Sequence, residues 1–294
     1  MIYTITKGQE GLLRDFLRQQ LSLSSSQITR LKAKPFGITV NGEKKTVRYI
    51  LKEGDVLRLD ISDEKPSENI IPVNIPLDIL YEDEGIIAVN KPHGMPTHPS
   101  HGHFDDTLAN ALTYYLFQKG EKCIFRAVNR LDKDTSGVVL CAKNAVVAAK
   151  LCKTLSCGGV KKEYTALLHG KTADSGIIEK NIKRKEESVI FRCVCGDDEG
   201  KSAVTHYETV THGEKYSLVK LTPITGRTHQ LRVHTSYIGT PIVGDVLYGK
   251  DDRYPLMLHA SSLTFLHPET GEEIKITADI PERFKMIYEN SKKD

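Results

Sequence analysis

Two patterns of apolar spacing divide the chain. Residues 8–20 place Leu12, Leu13, Phe16 and Leu17 on one helical stripe. A second stripe, Ile28 and Leu31, follows Ser24, Ser25 and Ser26, any of which can cap a helix. That helix turns Arg30, Lys32 and Lys34 outward, runs to about Lys34, and is stopped by Pro35. Residues 37–42 (GITVNG) then read as a strand and turn, and residues 56–61 alternate as a closing strand. Residues 1–61 are thus expected to form a helix–helix–strands module, small for a core of its own. Residues 62–76 are polar and then punctuated by prolines, as an extended linker would be. From residue 77 to 294 strands dominate: 85–92, 137–143, 162–170, 202–210 and 216–223. Helices are expected at 108–118, 145–155, 228–238 and 283–290. Strands and helices do not alternate regularly, which predicts an α+β body with a largely antiparallel mixed sheet rather than a doubly wound fold.

Composition narrows this little. A chain of 294 residues, 39% hydrophobic and 27% charged, reads as an ordinary soluble globular protein. The longest apolar runs, 85–89 and 137–142, are too short for a bilayer, and no basic start precedes an apolar core at the N-terminus. No membrane association and no signal peptide are expected. The six cysteines, at 123, 141, 152, 157, 193 and 195, form no C-x-x-C pair; several lie in apolar runs that read as core. They read as free thiols in a reducing cytoplasm rather than a zinc site. Charge is more telling by position. Residues 1–61 carry a net +5 although the whole chain is only +3, so the positive excess lies in the N-terminal module. A segment that meets a polyanion has that bias, and so does a merely solvated basic face.

Two segments concentrate chemistry. Residues 129–137 (NRLDKDTSG) gather polar and turn residues just ahead of an apolar strand, where functional loops sit on rigid sheets. On residue type alone, Asp132 is a catalytic carboxylate, a turn residue or a cap, and Ser136-Gly137 can be a simple tight turn. Residues 224–239 (ITGRTHQLRVHTSYIG) read as a helix started by Thr225 or Gly226 and ended by Gly239. Arg227 and Arg232 there need acceptors if buried. His229 and His234 raise a metal reading, but no cysteine or acidic ligand lies at suitable spacing.

These segments, with others, resemble the large bacterial RNA pseudouridine synthase family that includes RluA and RluD. The resemblance rests on R-L-D-x-x-T-S-G (130–137), K-x-Y-x-A (162–166), G-R-T-H-Q-L-R-V-H (226–234) and L-H-A-x-x-L-x-F-x-H-P (258–268). The opening I-L-Y-E-D-E-G-I-I-A-V-N-K-P (79–92) and G-M-P-T-H-P (94–99) fit as well. The likeness covers about residues 77–285. Ahead of it, LLRDFLRQQL, LSSSQITRLKAK, ITVNG and LKEGDVL resemble the αL-type RNA-binding module named after a small-subunit ribosomal protein. One departure stands out: the family usually has histidine directly before R-L-D, and this chain has Asn129.

The resemblance implies a pseudouridine synthase fold and an isomerase that converts uridine to pseudouridine in structured RNA. It implies no cofactor and no metal. Asp132 would be the catalytic carboxylate, acting on the anomeric carbon as a nucleophile or on the neighbouring ribose carbon as a base. Arg232, with Arg227 as local rival, would hold it ionised. Tyr164 would stack on the extruded uracil or relay a proton, its alternative being a packed strand tyrosine. Arg130 would fill the space left by the flipped base. Arg14, Arg30, Lys32 and Lys34 of the module would face RNA phosphates. Ribosomal RNA of the large subunit is the leading expectation for the partner, transfer RNA the alternative, and a cytoplasmic monomer is expected. Two other readings compete. A non-catalytic RNA-binding assembly factor would have no need of Asp132, Tyr164 and Arg232. A metal-dependent hydrolase would use His98, His101, His103 and Asp105 or Asp106.

Overall fold

The computed structural model describes residues 1–61, 70–121, 124–186, 188, 190–250 and 252–290. Cys123 and the first half of the expected linker lie outside them. The N-terminal part holds β1 (Ile2–Thr4), β2 (Gly11–Leu12), α1 (Leu13–Asp15), α2 (Ser25–Ala33), β3 (Ile38–Val40), β4 (Glu43–Lys44), β5 (Ile50–Leu51) and β6 (Val56–Leu59). The first helix begins later than its apolar stripe predicts. Gly8 and Gly11 take φ of 88° and 127°, and Gly11 pairs with Leu51, so the chain turns and pairs before it coils. Leu12 is consequently exposed, while Leu13, Phe16 and Leu17 are buried. After α1 the chain continues as a π-helical turn over Phe16–Gln20. Helix α2 is capped by Ser24 in a reciprocal box with Gln27. It ends at Ala33, because Lys34 precedes Pro35 and is extended at ψ 146°.

This module does not stand apart from the body. Its core includes Val146 from α4 (Ala145–Ser156). The Gln27 side chain that completes the α2 cap also donates to Ala145 O at 3.4 Å, and Lys153 Nζ donates to Gln19 O at 3.4 Å. Of the expected linker only residues 70–76 are described, and residues 71–77 lie on the body. Val73 N donates to Asn110 O, Asn110 donates to Ile71 O, and Ile75 and Leu77 pack into the core beside α3 (Leu108–Gln118).

The body is α+β, as the strand-rich pattern predicts. Its strands are β7 (Ile79–Glu82), β8 (Ile86–Lys91), β9 (Ser136–Ala142), β10 (Val160–His169), β11 (Ser175–Glu179), β14 (Val204–Thr211), β15 (Tyr216–Pro223), β16 (Leu258–Leu266) and β17 (Glu273–Thr277). Among the described residues they form one sheet in the order β11-β14-β15-β10-β16-β9-β8-β7, with β17 on β16. Every pair is antiparallel except β9 with β16, which meet only at Ser136–His259 and Gly137–Ala260. A hairpin of β12 (Ile182–Arg184) and β13 (Arg192–Val194) stands off the sheet. Helices α5 (Gln230–Tyr237) and α6 (Glu282–Asn290) follow β15 and β17. Strand β9 is buried at every position, as its unbroken apolar run implies. Of the described cysteines only Cys141 is core; Cys152 and Cys157 are exposed on and after α4, and all five are free thiols. No helix among the described residues is long and apolar enough to cross a membrane.

Candidate active site

The segment carrying Asp132 is tied down at nearly every residue. Asn129 is buried, and its side-chain amide copies a strand residue: Oδ1 accepts from Leu140 N at 2.8 Å and Nδ2 donates to Val138 O at 3.0 Å. The residue that departs from the family pattern thus has a complete bonding role in positioning the loop. Thr97 Oγ1 donates to Leu131 O at 2.9 Å. Lys91 is fully buried, and its Nζ donates to the carbonyls of Lys133, Met95 and Pro92 at 3.0, 2.6 and 2.9 Å. Burial pushes its pKa down to about 7, against the charges of Asp134 and Asp132, while three carbonyl acceptors match the three protons of an ammonium. His93 Nδ1 donates to Asp134 O at 2.6 Å, and Thr135 N donates to Asp132 O at 3.1 Å.

Gly137 explains the end of T-S-G. It is not a tight turn but a strand residue with φ 114°, and an added Cβ would lie 2.2 Å from Ala260 O. Only glycine lets β9 and β16 meet there. Ser136 Oγ beside it accepts from Arg283 Nη2 and donates to His259 Nδ1, whose Nε2 donates to Ala278 O. The Asp132 loop therefore sits on a largely buried polar network through Ser136, His259 and Arg283. Asp132 itself keeps a third of its side chain exposed.

Helix α5 brings Arg232 to this carboxylate. The helix starts later than Thr225 or Gly226 would have it. His229 is its first flanking residue, left-handed at φ 57°. Thr225 instead gives its hydroxyl to Gln230 Oε1 at 2.7 Å, which also accepts from Arg227 N. Gln230 Nε2 donates to Thr205 Oγ1, and that hydroxyl donates to His234 Nδ1 while His234 Nε2 donates to Lys180 O. His234 is thus a neutral anchor of α5, and burial lowers its pKa.

Arg232 presents a fork to Asp245, Nε to Oδ2 at 2.8 Å and Nη2 to Oδ1 at 2.7 Å. Its remaining Nη1 lies 3.6 Å from Asp132 Oδ2. Asp245 is fully buried and also accepts from Leu247 N and Tyr248 N. Burial works against the Arg232 charge, but Asp245 outweighs it and raises the arginine's pKa. Arg227, the rival, is exposed and donates to Ser202 O at 2.9 Å.

Tyr164 enters from β10 where the register against β16 slips between Glu163 and Tyr164. It packs in the same cluster as Leu131 and Ala260. Burial first, then the Asp132 charge, raise its pKa well above the ordinary phenol value, so the hydroxyl keeps its proton at neutral pH. Arg130 is exposed on the Asp132 loop, close enough for its charge to add to burial in lowering the pKa of His98.

The site thus unites Asp132, Arg232 and Tyr164 from three separate segments. On the module, Arg14, Arg30 and Lys32 are exposed. Lys34 departs from its expected outward course. The turn at Pro35 brings its ammonium to Asp60 O at 2.9 Å, and it is half-buried. The histidine-rich run is spent on other contacts: His103 bonds Asp106 at 2.6 Å and approaches Lys133 at 3.2 Å, and His98 packs edge-on to Phe125. Among the described residues no three His, Cys, Asp or Glu side chains gather as metal ligands. Asp245, Tyr248, His229 and Lys91 complete the site without having been singled out for it. Lys91 and His229 lie within the quoted motifs but were given no such role, and Asp245 and Tyr248 carried no signal that a linear pattern reveals.

Comparison with known proteins agrees with this geometry. The family model for RNA pseudouridylate synthase matches residues 85–237, spanning both Asp132 and Arg232. The chain is 37% identical to the uncharacterized RNA pseudouridine synthase YjbO of Bacillus subtilis (strain 168), over 90% of this chain and 93% of that one. It is 34% identical to ribosomal large subunit pseudouridine synthase D of Zymomonas mobilis, over 90% of each. Human RNA pseudouridylate synthase domain containing 1 superposes with a TM-score of 0.59 at 30% identity, covering 69% of this chain and 83% of that one. The human domain containing 4 superposes at 0.62 and 25% identity, covering 73% and 93%.

Proposed function

Since the chain belongs to the RNA pseudouridine synthase family of isomerases, we propose that it acts on uridines of large-subunit ribosomal RNA in the cytoplasm, with Asp132 as the reacting carboxylate. The observation that carries this reading is the convergence of Arg232 and Tyr164 on the partly exposed Asp132 carboxylate. The ribosomal assignment is supported by the relative named for the large subunit, and by the exposed Arg14, Arg30 and Lys32 on the basic module.

The reaction breaks the bond from uracil N1 to the anomeric carbon and forms one from C5; the C5 proton is lost and N1 gains one. Composition is unchanged, so no donor or oxidant is consumed. Asp132 meets the ribose either at the anomeric carbon or at the proton on the neighbouring carbon. Arg232 Nη1, 3.6 Å from Oδ2, sets a positive charge beside it in a partly shielded site. Tyr164, held as a neutral phenol, offers its ring to the detached uracil and its hydroxyl as a proton donor rather than a phenolate base. Arg130 is free to enter the RNA stack as the uridine swings out.

The test is pseudouridine mapping of total RNA from cells with the wild-type protein, with none, and with Asp132→Asn. Ribosomal sites lost in both deficient strains establish the reading. Loss from transfer RNA instead moves the substrate. An unchanged map, with purified protein inert on transcripts, leaves an RNA-binding factor.

A further inference from the structure

Immediately before α5, His229 adopts a left-handed backbone, φ 57° and ψ 17°, which is costly for a residue with a Cβ. Its side chain makes no cap to the helix that follows. The conformation serves a contact elsewhere: the imidazole lies between Tyr248 and Asp132. The partners favour one direction for each proton there. Arg192 N can only donate, and it donates to the Tyr248 hydroxyl oxygen at 3.0 Å. That hydroxyl proton is then available to His229 Nδ1 at 2.8 Å. With Nδ1 accepting, the ring proton sits on Nε2, which is 3.8 Å from Asp132 Oδ2.

Tyr248 has little freedom to change this. Its ring lies under the Arg232 guanidinium at 5.2 Å and edge-on to Phe191 at 6.0 Å. The charged and titratable groups facing the imidazole are Asp132, Arg232, Arg192, Asp245 and Tyr248. Burial, with Arg232 and Arg192, keeps it neutral against the pull of Asp132 and Asp245. Arg232 Nη1 reaches the same carboxylate oxygen, at 3.6 Å. Both approaches to Oδ2, at 3.8 and 3.6 Å, are longer than hydrogen bonds, and among the described residues no ion-pair contact reaches the other oxygen of Asp132.

We propose that His229 is a positioning residue: as the Nε2–H tautomer it shares one oxygen of Asp132 with Arg232 and so aims the other at the ribose. This rests on Asp132 being the reacting carboxylate. A neutral donor suits the task. It orients the carboxylate without the second full positive charge that would make it a poorer base and nucleophile.

Two measurements on the full-length protein decide it. Nitrogen-15 NMR of labelled histidine reads the tautomer directly. His229 should hold the Nε2–H form between about pH 6 and 8, and Tyr248→Phe should release it to a mixture that protonates within that range. Single-turnover rates on ribosomal RNA transcripts read the positioning. His229→Asn, which has no donor at the Nε2 position, should slow isomerisation about 100-fold with RNA affinity little changed. His229→Gln, whose amide reaches that position, should recover to within about tenfold of wild type. Tyr248→Phe should add an acid limb to the rate profile that the wild type lacks. An Nδ1–H or doubly protonated wild-type ring overturns the proposal, as does an active wild type matched by His229→Asn. A wild-type protein inert on every transcript instead defeats the proposed function, while the NMR result still upholds or overturns the tautomer.

Discussion

Arg232 gives its Nε–Nη2 edge to Asp245, at 2.8 and 2.7 Å, and reserves only Nη1, at 3.6 Å, for Asp132. The strong pair is the buried one, and it fixes the arginine from behind. Asp245→Asn removes the charge that lets the guanidinium be buried, and should destabilise the protein by roughly 3–5 kcal/mol in urea unfolding. Arg232→Lys keeps a charge but has no fork to span Asp245 and Asp132 together. It should lower the single-turnover rate by about 100-fold. A lysine variant with wild-type turnover would show that the fork is dispensable.

Asn129 satisfies Leu140 N and Val138 O with one side-chain amide. Asn129→Leu keeps the branched outline of the side chain but leaves both backbone groups buried and unpaired, an expected loss of about 2–4 kcal/mol by chemical denaturation. Asn129→His, which restores the residue usual in the family, still offers one donor and one acceptor. Its loss should stay below about 2 kcal/mol.

Gly137→Ala places a methyl 2.2 Å from Ala260 O at a φ of 114°. Neither strand can yield without breaking the pairing of β9 with β16. An expected loss of at least about 3 kcal/mol should appear as a lowered unfolding midpoint. Wild-type stability in this variant would mean the two strands separate readily.

His259 is fully buried between Ser136 Oγ and Ala278 O. Burial foremost, helped by the Arg283 charge, holds its pKa at about 4 against an ordinary 6.5. As pH falls through 6.5 the unfolded chain takes up a proton that the folded protein refuses. Stability contributed by this group is therefore intact above 6.5 and declines until about pH 4, by on the order of 3 kcal/mol. Urea titrations at pH 7 and 4.5 should show that decline in the wild type and a shallower one in His259→Asn.

Arg30 and Lys32 are exposed on α2, whereas Lys34 is held by Asp60. Reversing both exposed charges, Arg30→Glu with Lys32→Glu, should reduce the slope of log RNA affinity against log salt by about 2. Lys34→Ala should change that slope little. An unaltered slope in the double variant would place the phosphate contacts on other residues.

Much of this architecture is legible in the sequence. The strand-rich body, the core strand over Gly137–Ala142 and the helix around Leu108–Gln118 follow from apolar runs and periodicity alone. Asp132, Tyr164 and Arg232 were legible only because ordered motifs set them apart from ordinary turn, strand and helix residues. Asp245 and Tyr248 were not, because they act across a loop, at a separation that no helical or strand repeat encodes. The late starts of α1 and α5 escaped for a related reason. Positive φ at Gly11 accompanies its pairing with Leu51, and at His229 it accompanies the approach of the ring to Tyr248 and Asp132; neither contact is readable from a helical repeat. Lys34 looked outward on a helical wheel because the wheel ignores the turn that brings Asp60 back beneath it.

The contact of β9 with β16 is two residue pairs wide, Ser136–His259 and Gly137–Ala260. Asp132 hangs from one side of that joint, and Tyr164 and Arg232 from the other. The sheet's two halves meet at that joint, and the proposed reacting groups lie on either side of it. The smallest side chains in the joint therefore set how closely the two halves, and with them the proposed reacting groups, approach.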